Sequence, residues 1–221
     1  MTWNLNPRYR QVAEYAKQNG AYLLVAENGY VQKHRDLEPF YALARDGHNG
    51  SGMWFVGSGD RWGKLNQPLH PWRRNEGYVL IAGQRGIGSE IMKCPRNFVD
   101  STQIKLRRIL DKGGQKKVKI AVRLHPGRHA PLRSLRDDLA GARCVVTWAS
   151  NVANTALIYG IPAFRMAPYH VNDAVIGDVA KIVDPPLADR EEGFKKLAWA
   201  QWSLSEIDSG AAFTHLLQDV T

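Results

Sequence analysis

"CVVTWASNVANTALIYGIPAF", Cys144 to Phe164, sets the reading of the whole chain. Its opening, Cys144-Val145-Val146-Thr147-Trp148, is short, β-branched and aromatic, the pattern of a buried strand. Val152, Ala153, Ala156 and Leu157 then recur at helical spacing, Gly160 stands where a left-handed C-terminal cap belongs, and Pro162 forbids continuation. The stretch predicts a strand, a helix from Asn151 to Tyr159, and a further segment "IPAFRM". Ser150 and Asn151 fall at the helix N-cap, where open backbone N–H groups and the helix dipole attract an anion. An ordinary cap explains such a pair when it stands alone; its surroundings give it more weight.

Working outward, "YVLIAGQ" from Tyr78 and "VKIAVRLHP" from Val118 read as two more strands. Ser101 to about Lys112, with Ser101 as cap, and Leu132 to Ala140 read as helices. Alternating strands and helices predict an α/β fold with a parallel, doubly wound sheet. Before Gly77 the pattern thins. A helix from Pro7 to about Asn19, closed by Gly20, precedes a strand Tyr22 to Ala26. From His34 to Asn75 the Gly-, Trp-, His- and Arg-rich segment reads as long loops. A boundary between Trp72 and Gly77 divides the chain into residues 1–76 and 77–221, the second part ending in two amphipathic helices broken at Ser209-Gly210. A crevice between the halves, at the carboxyl ends of the strands, is the expected ligand site.

A chain of 221 residues with 44% hydrophobic residues and 20 glycines suits a folded α/β protein. It shows no charged-then-apolar leader, and no apolar run nears the about 18 residues of a membrane span. The expectation is a cytoplasmic protein without stable membrane insertion. Cys94 and Cys144 lie in no metal-binding or disulfide pattern. The formal net charge of +9 calls for an anionic partner. Much of it is local: Lys105, Arg107, Arg108, Lys112, Lys116, Lys117, Lys119, Arg123, Arg128, Arg133 and Arg136 face only Asp111 in their own stretch. A solvated helix face, a phosphate-rich polymer, an anionic membrane surface or a nucleotide would each account for that run.

Polar groups follow the strands: "ENG" at Glu27-Asn28-Gly29, "GQRGIGS" from Gly83, "HPG" at His125-Pro126-Gly127, and Ser150-Asn151. In parallel strands the last three open on one edge. The glycines of "GQRGIGS" lack dinucleotide-fingerprint and Walker A spacing, so that loop is either a plain turn or a phosphate-approaching loop to which Arg85 adds charge. His125 at a strand end could donate a hydrogen bond or proton to a leaving phosphate. Glu27, leaving an apolar strand, would gain a raised pKa from burial and so suit a general base. No G-x-S-x-G elbow, H-E-x-x-H or D-x-D pattern appears.

With these residues in place, the chain resembles GT-B glycosyltransferases of the bacterial sialyltransferase and capsule Kdo-transferase kind. Those carry a (D/E)-(D/E)-G motif, an HP motif and a Ser-Ser/Thr motif, in that order. Glu27 matches the acidic position, His125-Pro126 the HP motif and Ser150 the first serine, while Asn28 and Asn151 replace the second acid and second serine. "LAWAQWSLSEIDSG" also looks like the tail of capsule-type transferases, and the likeness is strongest from Gly77 to Leu217. It implies two Rossmann-type halves with parallel sheets, the N-terminal one reduced and on the acceptor side. It further implies metal-independent transfer from a nucleotide sugar, with Glu27 and His125 catalytic. The donor would be held by Gly83, Gln84, Arg85, Arg123, His125, Pro126, Ser150 and Asn151.

Charge then selects the acceptor. A DNA backbone rewards every lysine, and small transferases of this type also resemble phage enzymes that add sugar to 5-hydroxymethylpyrimidines in DNA. On this expectation UDP-glucose is the donor, and His48, Asn49, Trp62, Trp72 and Arg73 read the DNA. Two alternatives stand beside it. One is a capsule or lipopolysaccharide transferase using a CMP- or UDP-sugar, its basic face on anionic lipid. The other is a nucleic-acid-binding protein without catalysis.

Overall fold

The structure, a computed structural model, describes residues 1–3, 9–31, 34–35, 38–47, 49–74, 76–84, 92–127 and 133–218. Its second half is built as the sequence implies. Strands β5 (Tyr78–Ala82), β6 (Ile120–Arg123), β7 (Ala142–Thr147) and β8 (Ala163–Arg165) form a wholly parallel sheet in the order β6-β5-β7-β8. Side chains alternate across it. Val79, Ile81, Cys144 and Val146 join Leu106 and Leu110 of helix α3 (Phe98–Lys112) on one face. Leu80, Ala82, Val145 and Ala163 pack on the other against Ala153 and Leu157 of helix α5 (Val152–Ile158) and Phe194 and Leu197 of helix α6 (Glu191–Ala198). With both faces covered, the strands have no polar alternation, as buried parallel strands require.

Two helix starts differ in detail. The N-cap of α3 is Asn97, and the Ser101 hydroxyl donates back to the Asn97 carbonyl at 2.8 Å instead of capping. Helix α4 (Leu135–Ala140) is capped by Ser134, which accepts from the Asp137 N–H at 3.1 Å. The expected starts at Pro7 and Leu132 lie outside the described residues. Helix α5 ends as expected: Gly160 has φ +74°, its N–H reaches the Leu157 carbonyl, and the Ile161 N–H reaches that of Ala156 at 2.9 Å. This is a Schellman closure.

The first half departs from the expected parallel arrangement, because its sheet is mixed. β1 (Thr2–Trp3) runs parallel to β2 (Leu24–Asn28), but β2 pairs antiparallel with β4 (Glu38–Arg45), as do β3 (His34–Arg35) and β9 (Gln201–Ser203). Helix α1 (Tyr9–Gln18) precedes β2, with Gly20 at φ +61° closing it. Strand β4 lies within the segment read as loop. Pro39, Ala42 and Ala44 carry little strand propensity, and pairing on both sides supplies what local preference lacks. The same segment holds a short helix α2 (Arg61–Leu65), capped by Asp60 through the Gly63 N–H at 2.7 Å.

The closing segment, assigned from sequence to the second half, returns to the first. β9 joins the first sheet. Helices α7 (Leu204–Asp208) and α8 (Ala211–Leu216) follow it, separated at Ser209-Gly210 as expected. Trp202, Ala212 and Leu216 pack with Leu24 and Leu43. Arg61 fastens this return: it donates to both Glu206 carboxylate oxygens at 2.7 and 2.8 Å and to the Gln201 carbonyl, with its guanidinium 3.9 Å from the Trp202 ring centre. Arg61→Met, which keeps the aliphatic stem but takes the cation from Glu206 and leaves the carboxylate only its bond from the Ser203 N–H, should lower stability by about 1–3 kcal/mol, read as a shifted urea midpoint.

No helix of the described residues is long and apolar enough to cross a membrane.

Candidate functional site

In a parallel sheet of this order, β5 sends one neighbour to each side, and the loops leaving its carboxyl edge splay to form a crevice. A cleft of about 590 Å³ lies there. Gly83 and Gln84 enter it after β5, His125 and Pro126 after β6, and Ser150 and Asn151 after β7; Glu27, Tyr30 and Asn49 close it from the first half. The cleft thus gathers residues about 120 positions apart in sequence. Arg85 and His48 lie outside the described residues.

Each loop is fixed by its own bonds. The Gln84 side-chain oxygen accepts from the Ala149 N–H at 2.9 Å, tying the loop after β5 to that after β7. Gly127, at φ +65°, turns its N–H onto His125 Nδ1 at 2.9 Å. With Nδ1 accepting, the neutral ring carries its proton on Nε2, and His125 is exposed on the cleft. Ser150 Oγ accepts from the Val152 N–H at 3.3 Å, and its carbonyl accepts from the Ala153 N–H. The Val152 and Ala153 amides at the start of α5 are therefore turned onto Ser150, and Asn151 caps with its backbone alone, its side-chain oxygen accepting from Asn154 Nδ2 at 2.6 Å. What Ser150 offers the cleft is its hydroxyl hydrogen.

Glu27 sits on the last turn of pleat in β2, within the cleft. Burial pushes its pKa from 4.5 to about 7, against hydrogen bonds from the Tyr30 hydroxyl and the Asn49 backbone. Tyr30 is buried; that burial, followed by the nearby Glu27 charge, holds its phenol well above the ordinary value of 10. The Asn49 N–H also reaches the Tyr30 hydroxyl, at 3.3 Å.

Other expected residues are placed differently. Arg123 borders the cleft, but its guanidinium is engaged by Asp138 and by the Arg133 carbonyl, which anchors β6 to α4. Trp62 is in the core, its ring 5.0 Å from Phe194. Trp72 carries Arg190 over its ring at 4.0 Å. Arg73 bonds the Ala140 and Gly160 carbonyls, just ahead of β7 and β8, which is the amino edge of the sheet, opposite the cleft. These three residues do not converge with Asn49, because aromatic and arginine side chains in a Gly-rich stretch were needed as packing and as backbone ties.

His170, in the loop after β8, went unread in the sequence. It is buried behind the cleft, with Nε2 3.3 Å from the Ser150 carbonyl and Nδ1 accepting from the Asn172 N–H. Burial lowers its pKa from 6.5 to about 4, so it stays neutral and holds the Ser150 loop. Tyr30, one residue past "ENG", was findable as the neighbour of an acid predicted to be buried.

Glu27 and His170 bias stability in opposite directions. Between pH 4.5 and 7 the folded protein keeps a proton on Glu27 that the unfolded chain has lost, so this group's contribution falls as pH rises. Between pH 6.5 and 4 the unfolded chain binds a proton that buried His170 refuses, so its contribution falls as pH drops. Glu27→Gln should therefore match wild type near pH 4.5 and exceed it by roughly 2–3 kcal/mol above pH 7, measured by denaturant titration at each pH.

Two sheets facing one crevice, the second parallel and open at its carboxyl edge, make this a GT-B-like α/β fold in reduced form. The chain is similar in structure to Thermosulfurimonas dismutans KpsC, β-Kdo 2,7 transferase, with a TM-score of 0.54 and 14% identity over 97% of this chain and 91% of that one. It is also similar to the β-Kdo 2,4 transferase of the same KpsC, with a TM-score of 0.56 and 10% identity over 95% and 85%. No family model and no curated protein matches the sequence. Among the described residues, no group of three His, Cys, Asp or Glu side chains could hold a metal ion.

Proposed function

We propose that this chain is a glycosyltransferase of the capsule kind, moving a Kdo-type sugar from its CMP-activated form to a hydroxyl of a saccharide acceptor. The observation that carries the reading is one cleft lined by Glu27 from the first half, its pKa raised by burial to about 7, and by His125 and Ser150 from the second; in this reading Glu27 is the base and His125 and Ser150 receive the phosphate. The likeness in fold to the two KpsC transferases supports it. Neither supports a DNA acceptor or UDP-glucose, and three of the residues expected to read DNA are away from the cleft.

In the proposed step the acceptor oxygen attacks the anomeric carbon while Glu27 takes its proton. The bond from that carbon to the phosphate oxygen breaks, its electron pair stays on the phosphate, and the His125 Nε2–H and Ser150 hydroxyl hydrogen-bond the growing charge. Gln84 and His170 act through the loops they fix. The sequence lacks a D-x-D pair, so charge stabilisation falls to these side chains.

The test is incubation with a panel of CMP- and UDP-sugars and saccharide acceptors, plus hydroxymethylated DNA, following nucleotide release and product mass. CMP release with a heavier saccharide, unchanged by EDTA, is expected. A sugar on DNA, or no turnover with any donor, would overturn the reading.

A further inference from the structure

The crevice has a second compartment. A cavity of about 400 Å³ opens at the carboxyl end of β8, walled by Trp54 from the first half and by Arg165, Tyr169, Asp173 and Lys196 from the second. A narrow septum separates it from the cleft. Gly50, at φ +88°, lies so close to His170 that a Cβ there would stand 3.0 Å from the His170 nitrogen. Asn49 and Ser150 face the cleft from the other side of this septum.

We propose that this cavity binds an acidic saccharide, the unreacting portion of the acceptor; the inference rests on the transferase reading above. The walls suit such a ligand. The Trp54 indole N–H donates to the Lys196 carbonyl at 3.1 Å, which holds its ring in place, and the Tyr169 ring is 53% exposed. The Trp54 ring, fixed in this way, offers a flat face to the C–H side of a sugar at little entropic cost, and the exposed Tyr169 ring stands at the same cavity as a second such face. Arg165 Nη1 is held by the Ala167 and Pro168 carbonyls, so the guanidinium is oriented before a carboxylate arrives. Lys196 adds a second cation, shared with Asp173 at 3.1 Å in an exposed pair. Two cations against one carboxylate, with His170 neutral, favour an anion.

Position separates acceptor from nucleotide. In the order β6-β5-β7-β8 the phosphate receiver His125 follows one edge strand, and this cavity follows the other. A nucleotide held at His125 leaves the β8 end to a ligand approaching from the half that carries Glu27.

Titration calorimetry without turnover tests the site. The probes are the methyl glycosides of Kdo and of glucose, and CMP. Wild type should bind the acidic glycoside and not the neutral one. Tyr169→Ala and Lys196→Gln, both at exposed side chains, should each weaken it tenfold or more with CMP affinity unchanged. Asp173→Asn should tighten it severalfold by removing the competing carboxylate, an effect a merely structural role would not produce. His125→Ala should weaken CMP alone. Absence of glycoside binding by wild type, or loss of CMP affinity in the Tyr169 and Lys196 variants, would overturn the proposal. A protein that binds both ligands as described yet transfers nothing would contradict the reaction and leave this site standing.

Discussion

Glu27→Gln should lose sugar transfer by roughly 10²–10⁴-fold, the usual contribution of a positioned general base, while CMP still binds. The amide keeps the shape and can still accept from Tyr30, but it cannot take a proton from the acceptor hydroxyl. The wild-type rate has a matching pH dependence. Below the Glu27 pKa of about 7 the base is protonated, so the rate should rise about tenfold per pH unit and level off above that value. The same substitution stabilises the fold at neutral and alkaline pH, because it removes a charge held out of water. A more stable, inactive variant is the signature of a residue retained for chemistry. Initial rates from pH 5 to 9, paired with denaturation curves, check both halves. A variant that transfers sugar as fast as wild type would remove Glu27 from the mechanism.

The largest effect on folding is expected at Gly160. Its left-handed backbone strains any other L-residue, and a Cβ would overlap the Pro71 carbonyl oxygen, which is backbone and cannot rotate away. The crossing segment is tied to this spot twice over: the Arg73 N–H donates to the Gly160 carbonyl at 2.7 Å and the His70 N–H to that of Ile158 at 2.9 Å. Gly160→Ala should cost about 2–5 kcal/mol, backbone strain and overpacking together. It should also loosen the link between the halves. A fall in denaturation midpoint large enough to leave a detectable unfolded fraction at 37 °C is the expected result, whereas Gly114→Ala, with open space around it, should cost only the φ strain.

The second half was legible because its local signals agreed with its packing. The β-branched runs of β5 and β7 are buried on both faces, so composition alone declared them, and Gly160 with Pro162 marked the end of α5 unambiguously. Parallel strands put their carboxyl ends on one edge, which is why His125 and Ser150 could be expected together. The first half was less legible. β4 is made a strand by its neighbours β2 and β9, and one of those arrives 160 residues later in the chain. An amphipathic face does not name what covers it, so sequence alone does not show that β9 and the helices after it pack on the first sheet. Trp62 and Trp72 look alike in sequence to surface aromatics, and only tertiary contacts reveal a core ring and a cation-covered one. His170 had no periodic or motif signal, because its task, holding the Ser150 carbonyl, is defined by a contact across twenty residues.

A crystal structure of the protein with CMP tests the central claim most directly. The phosphate is expected within hydrogen-bond reach of His125 Nε2 and the Ser150 hydroxyl, facing Glu27 across the cleft. A nucleotide seated on the basic surface of α3, or with its phosphate away from both side chains, would contradict it.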